Sequence, residues 1–165
     1  MYKWYLLQHK PNYQKISLTN LERQGFETFC PLIEKTTRIN SKFKNSFLPL
    51  FPGYIFISFN MNESKWISIK YTLGVLRIVS FNNKPSEVPK DLILALQKKY
   101  NNPNKMSSLK NIKKGDYIKI LKGPLSGFIG KIESYDEKNR LKILLEFMGN
   151  HKNISISANN TDVVS

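Results

Sequence analysis

The sequence predicts an α+β domain over residues 1–100, a small antiparallel sheet sandwiched by helices, then a linker at 101–111 and a small all-β barrel over 112–165. Three observations predict it. Periodicity over the first hundred residues reads strand, helix, strand, strand, short helix, strand, helix. Composition then shifts at NNPNKMSSLKN, where Asn, Pro, Ser and Lys dominate, as in a linker. Beyond it, short alternating stretches are separated by the turn signals KGPLSG, YDEKNR, MGNHKN and ANNTD, which is the spacing of a small barrel.

Each element has its own signal. KWYLLQH (3–9) is an apolar run of strand length. Asn12 is positioned as an N-cap and Gly25 as a C-terminal stop for the helix between them. At about 100° per residue, Gln14, Ser17, Leu18 and Leu21 share one side, and Asn12, Lys15, Thr19, Asn20 and Arg23 the other, with Ile16 among them. Phe26 to Ile33 reads as a strand ending at Pro31. EKTTRINSKFKNS (34–46) carries Lys35, Arg38, Lys42 and Lys44 and almost nothing apolar, as a mobile basic loop or hairpin tip would.

LFPGYIFISF (50–59) is the most informative stretch. After Pro52 and Gly53, one face of a strand carries Tyr54, Phe56 and Ser58, and the other Ile55, Ile57 and Phe59. Both faces are apolar, so both need cover. A short helix follows around Glu63 to Lys70, then a turn and strand in TLGVLRIVSF. Pro89 starts a last helix with Leu92, Ile93 and Leu96 as its apolar stripe.

Composition narrows function. The chain has 165 residues, 41% hydrophobic and 12% aromatic, enough for a core. Its 26 Lys plus Arg outweigh 12 Asp plus Glu, a formal charge of +14. Such a charge favours polyanionic partners, nucleic acid before a membrane surface, unless it serves only solubility. The single cysteine, Cys30, allows no intrachain disulfide and no cysteine metal cluster, and its apolar neighbours fit a small core residue. There is no signal-peptide pattern at MYKWYLLQHK and no membrane-span hydropathy, so a cytoplasmic protein is expected. The usual catalytic constellations are missing. His9 and His151 lie in different domains, and GPLSGFIG lacks the spacing of a phosphate loop. We expect no enzyme, no cofactor and no metal.

GDYIKILKGPLSGFIGKIESY (115–135) places Gly115, Asp116, Gly123, Pro124, Gly127 and Gly130 in a turn-and-strand pattern. It fits an ordinary glycine-rich β-hairpin, and it also resembles the KOW motif of small SH3-like barrels. The set KWYLLQHK, LERQGFE, CPLI, PLFPGYIFISF, TLGVLRIVSF and VP before a helix resembles the NGN domain of the NusG family. Together the two resemblances cover nearly the whole chain. WYLL (4–7), Lys10, LERQ (21–24), LFP (50–52), Tyr54 and Val88-Pro89 bring it closest to the RfaH-like branch, whose members are transcription antitermination proteins.

The resemblance implies a bacterial elongation and antitermination factor, a monomer with no membrane partner, that suppresses pausing and termination. It implies that one sheet face binds the β′ clamp helices of RNA polymerase, through Leu6, Phe51, Tyr54, Phe56, Phe81, Ile93 and Leu96. A contiguous aromatic patch is independently a mark of a binding surface; the alternative for Phe51 and Phe56 is plain core. Lys10, Arg23 and Gln24 match residues that touch the non-template DNA strand, and Asn12, Gln14, Asn20 and Lys70 are added from position. A solvated face is the alternative for Lys10 and Arg23. Trp66, Ser68 and Thr72 stand nearest to the segment that meets the β-subunit gate loop. Two departures stand out: Leu73 replaces a usual basic residue, and ESKWISIK lacks a Thr-rich stretch.

In the family the KOW barrel recruits Rho or a small-subunit ribosomal protein, but in the RfaH-like branch the same segment also folds as a helical hairpin that masks the polymerase site. Leu141, Leu144, Leu145 and Met148 have helical spacing, whereas Ile118, Ile120, Ile129, Ile132, Ile143, Ile154 and Ile156 favour strands, and Gly127 and Gly130 weaken a helix start. The barrel is the expected state and the hairpin its alternative. A general NusG-type factor and a ribosome-associated RNA-binding KOW protein are the alternative functions.

Overall fold

The computed structural model describes residues 1–39, 42–100 and 124–156. Strand β1 (Lys3–His9) lies at the centre of a five-stranded antiparallel sheet. It pairs with β5 (Tyr54–Phe59) on one side and with β6 (Val75–Ile78) and β9 (Glu87–Val88) on the other, and β2 (Glu27–Phe29) lies outside β5. Helix α1 (Gln14–Arg23) and a 3₁₀ helix (Ser64–Tyr71) cover one face. Helix α2 (Lys90–Tyr100) covers part of the other. Two strand pairs stand apart from this sheet: β3 (Leu32–Ile39) with β4 (Lys42–Pro49), and β7 (Ser80–Phe81) with β8 (Lys84–Pro85).

The two apolar faces of β5 feed two cores. Ile55, Ile57 and Phe59 join Tyr5, Leu7 and Leu21 beneath α1. Phe56 joins Leu6, Phe51, Leu92, Ile93 and Leu96 on the other side. The strict period-two alternation of β1 and β5 sends successive side chains to opposite cores.

Several local readings are corrected. Asn12 is not the N-cap of α1. Tyr13 occupies that position without a side-chain cap, and Asn12 adopts a left-handed conformation at φ 66° that turns the chain into the helix. Gly25 does end α1, at φ 79°. The strand expected over Phe26–Ile33 is broken at Cys30-Pro31, where the chain leaves the main sheet to begin β3. Of the two readings of the basic segment 34–46, the hairpin holds over its described residues 34–39 and 42–46, since strict cross-strand pairing runs from Leu32↔Pro49 to Ile39↔Lys42.

The larger correction concerns the C-terminal segment. Its described part is not a β-barrel but the alternative, a helical hairpin of α3 (Pro124–Glu133) and α4 (Glu137–Ile156). Pro124, Gly127 and Gly130 lie within α3, while Gly115, Asp116, Gly123 and the linker 101–111 lie outside the described residues. Asp136 caps α4, its Oδ1 accepting the Asn139 N–H at 3.0 Å. Phe128 and Phe147 meet across the hairpin at a tilt of 31°, with ring centroids 4.3 Å apart. The physical reason for helix over strand is burial. Ile129, Ile132, Leu144 and Met148 fall on one face and are at most 2% exposed against α2 and the sheet. Each such side chain contributes about 1.5–3 kcal/mol, more than the ~1 kcal/mol span of strand propensity.

Candidate polymerase and nucleic-acid surfaces

The seven residues expected to form an apolar binding surface come together. Leu6, Phe51, Phe56, Ile93 and Leu96 are buried in one cluster, with Tyr54 and Phe81 packed at its edge. The Phe51 and Phe56 rings meet edge to face at 5.9 Å, and Phe29 stacks on Phe56 at 5.9 Å. The same cluster contains Ile129, Ile132, Leu144 and Met148 from the hairpin. Helices α3 and α4 therefore cover the face that α2 leaves open.

A polar clasp rims this contact. Lys99 at the end of α2 pairs with Glu133 at the end of α3, and the Tyr100 hydroxyl donates to the same carboxylate. Burial first, and then that carboxylate, push the Tyr100 phenol far above its ordinary value. Sequence reading missed Glu133, because nothing local ties it to residues more than thirty positions away. It also left Ile129 and Ile132 to a barrel, although the spacing of Leu144 and Met148 pointed to this face.

The candidate DNA residues divide. Lys10, Asn12 and Arg23 are exposed. Lys70 is exposed too, with its Nζ 4.8 Å from the centre of the exposed Tyr71 ring. Gln14 turns inward instead. Its Nε2 donates to Cys30 Sγ at 3.0 Å, and burial pushes that thiol up to about 11. Asn20 is half-buried, and its carbonyl accepts from Gln24 Nε2 at 3.1 Å.

Gln24 is a hub. Its Nε2 also donates to Thr72 Oγ1 at 2.9 Å, and its Oε1 accepts from the Ser68 hydroxyl at 2.9 Å. Thr72 in turn donates to the Ser68 carbonyl at 3.1 Å and is 7% exposed. Two of the three gate-loop candidates thus meet the end of α1. The third, Trp66, is half-buried, stacks on Phe59 at 5.7 Å and donates to the Met61 carbonyl. Of the three, only Ser68 is exposed.

Among the described residues there is no group of three or more His, Cys, Asp or Glu side chains placed to hold a metal, and no helix long and apolar enough to cross a membrane.

The family model described as "Transcription termination factor nusG" matches residues 2–97, and one described as "KOW motif" matches residues 114–146. A protein of Haemophilus influenzae named "Transcription termination/antitermination protein NusG" is 26% identical over 159 residues, spanning 89% of this chain and 86% of the relative. A protein of the same name from Halalkalibacterium halodurans is 24% identical, spanning 88% and 89%. The solved structure titled "Domain interaction in Thermotoga maritima NusG" is similar at a TM-score of 0.43 and 19% identity, covering 59% of this chain and 56% of that one.

Proposed function

Because the chain belongs to the NusG family, matched over residues 2–97, we propose that it is an elongation and antitermination factor of the RfaH-like branch, held closed by its own C-terminal hairpin. In this reading residues 1–100 are the polymerase-binding domain. Leu6, Phe51, Tyr54, Phe56, Phe81, Ile93 and Leu96 are its seat for the β′ clamp helices. Lys10, Arg23 and Lys70 meet the non-template strand through phosphates and base edges. Asn12 joins them at the turn into α1. Gln14 and Asn20 serve that face from behind, and Gln24 links it to Ser68 and Thr72, with Ser68 the contact available to the gate loop.

One observation carries the reading: the whole apolar surface shares a core with Ile129, Ile132, Leu144 and Met148. A hairpin on that surface and clamp helices on the same surface exclude each other. The mechanism is a population shift, in which polymerase binds only the open state and its apparent affinity is scaled by the fraction open. No step is catalytic. Bridging the polymerase clamp stabilises the paused complex's active alternative, which suppresses pausing and termination.

A second reading is favoured by the relatives, which carry the name of the general factor. There the segment 112–165 recruits Rho or a ribosomal protein, and no DNA element is needed. One experiment separates the two. Full-length protein and an Ile132→Asp variant are titrated onto elongation complexes of the cognate polymerase on a random-sequence template. If the variant binds and the wild type does not, masking and the specialised reading stand. If both bind equally, the general factor stands. If neither binds on any template of a paused-complex library, the polymerase reading falls.

A further inference from the structure

The β3–β4 ribbon plays no part in that reading. Its register gives it two unlike faces. Phe43, Phe47, Glu34 and the pair Thr36↔Asn45 lie on one, and Lys42 and the pairs Lys35↔Ser46 and Thr37↔Lys44 on the other. Phe43 is 76% exposed and Phe47 45% exposed, four residues apart along one strand, roughly 13 Å. Two aromatic rings held in water on a strand that, among the described residues, pairs with its hairpin partner alone are not core residues. The exposed Lys35, Lys42 and Lys44 lie on the opposite face of the ribbon, and Glu34, its one acid, lies beside Phe47.

We propose that this ribbon binds single-stranded RNA, with Phe43 and Phe47 each stacking an unpaired base. Charge complementarity points to a polyanion, and an exposed ring face points to bases that are not already stacked in a duplex. A two-stranded ribbon is only about 5 Å across, so the lysine stems reach round it to the backbone phosphates.

The hydroxyls favour RNA over DNA. Thr36, on the aromatic face, donates to Asn45 Oδ1 at 2.9 Å, and on the lysine face Thr37 donates to the Lys44 carbonyl at 3.3 Å and Ser46 to the Lys35 carbonyl at 3.2 Å. With their protons engaged inside the ribbon, these oxygens are left as acceptors, that of Thr36 toward a strand stacked on the rings and those of Thr37 and Ser46 beside the lysines that hold its phosphates. A phosphate oxygen cannot donate to them, but a ribose 2′-hydroxyl can. Between the two rings, the Thr36 oxygen as acceptor and the Asn45 amide nitrogen as donor suit a group that both donates and accepts.

The test uses the full chain and a labelled oligouridine of about ten nucleotides, read by fluorescence anisotropy. Phe43→Ala and Phe47→Ala each weaken binding about tenfold, while Phe43→Tyr retains it. Lys44→Gln lowers the slope of log K against log salt by about 0.7. The deoxy oligomer of the same sequence binds severalfold more weakly. Far-UV circular dichroism of the variants matches wild type, since the substituted side chains are exposed. Unchanged affinity in both alanine variants overturns the proposal. Equal binding of the deoxy oligomer, or of a duplex, overturns the assignment to single-stranded RNA.

Discussion

Lys99 Nζ lies 2.6 Å from Glu133 Oε1, and the pair joins the last turn of α2 to the last turn of α3. The Tyr100 hydroxyl donates to the same carboxylate. Glu133 thus gathers a cation and a phenol at the edge of the contact built on the apolar cluster of Ile129, Ile132, Leu144 and Met148. Both charged side chains are about 40% exposed, so the ion pair contributes up to about 1 kcal/mol, with a similar amount from the hydrogen bond. Glu133→Gln keeps the shape and loses the charge. Amide hydrogen exchange in α3 and α4 should accelerate about fivefold while the central sheet is unaffected. Equal protection in the variant would show that the apolar contact alone sets the docking equilibrium.

The phenol gives the hairpin a dependence on alkali. Burial, and then Glu133, raise the folded Tyr100 value above the ordinary 10.0. A raised folded value means that the neutral form is favoured in the docked state. That contribution is whole below about pH 10, and is lost as pH rises above it toward the folded value. Absorbance near the tyrosinate band should therefore show one phenol that ionises only when the hairpin undocks. Tyr100→Phe removes that late step and the matching fall in hairpin protection. A late step that persists in Tyr100→Phe would assign it to another tyrosine.

What was legible in the sequence follows the range of the interactions. Strands β1 and β5 and helix α2 show in the period of Leu6, Phe56, Ile93 and Leu96, because alternation and helical spacing are local. The seven residues of the apolar surface could be gathered only through the family resemblance, and they do meet. The polar contacts were not legible. Gln14 finding Cys30, Gln24 finding Thr72, and Glu133 finding Lys99 all join residues distant in sequence. Residues 124–156 form a helical hairpin where propensity favours a barrel, for a different reason. Their isoleucines satisfy a strand and a helix alike, and only the apolar face waiting on α2 and the sheet decides between them.

Cys30 should be a slow thiol. Burial raises it from 9.0 to about 11, with the Gln14 hydrogen bond pulling the other way. At pH 8 the thiolate fraction falls roughly 100-fold below that of an ordinary cysteine. Reaction with an aromatic disulfide reagent should be slower by at least that factor in the folded protein and ordinary in denaturant. Gln14→Ala removes the one contact that favours the thiolate, and slows the folded reaction further. A native rate equal to the denatured one would mean that the α1–β2 junction opens freely.

Gly74 is where the β6 turn meets α1. Its φ is +93°, and a Cβ there would lie 2.4 Å from Ser17 Oγ and 3.1 Å from Tyr13 Cβ. Ser17 is fully buried, with its hydroxyl unpartnered. Gly74→Ala combines backbone strain with a clash against the α1 side chains of this buried contact, and should cost about 2–4 kcal/mol. A drop in the urea midpoint with an unchanged slope reads this out. The double variant Gly74→Ala with Ser17→Ala relieves the closest contact and should recover part of the loss, leaving the roughly 1 kcal/mol of positive φ. No recovery would place the whole cost in the backbone.

Leu144 tests whether the hairpin is held by its apolar face. It is fully buried between α4 and the cluster of Phe51, Phe56 and Ile93, whereas Lys142, two residues earlier, is 72% exposed in its side chain. Leu144→Ala removes buried carbon and leaves a cavity, at a cost of about 2–5 kcal/mol. That exceeds what the Lys99–Glu133 pair contributes, so the rim cannot hold the hairpin once the centre is weakened. Lys142→Ala should change hairpin protection by less than about 0.5 kcal/mol. In Leu144→Ala the amides of α3 and α4 should exchange at least tenfold faster, with Phe56 and the rest of β5 still protected from the α1 side. If β5 loses protection in parallel, the hairpin and the sheet unfold as one unit. If neither changes, the cluster repacks around the cavity and the face is held by more than its centre.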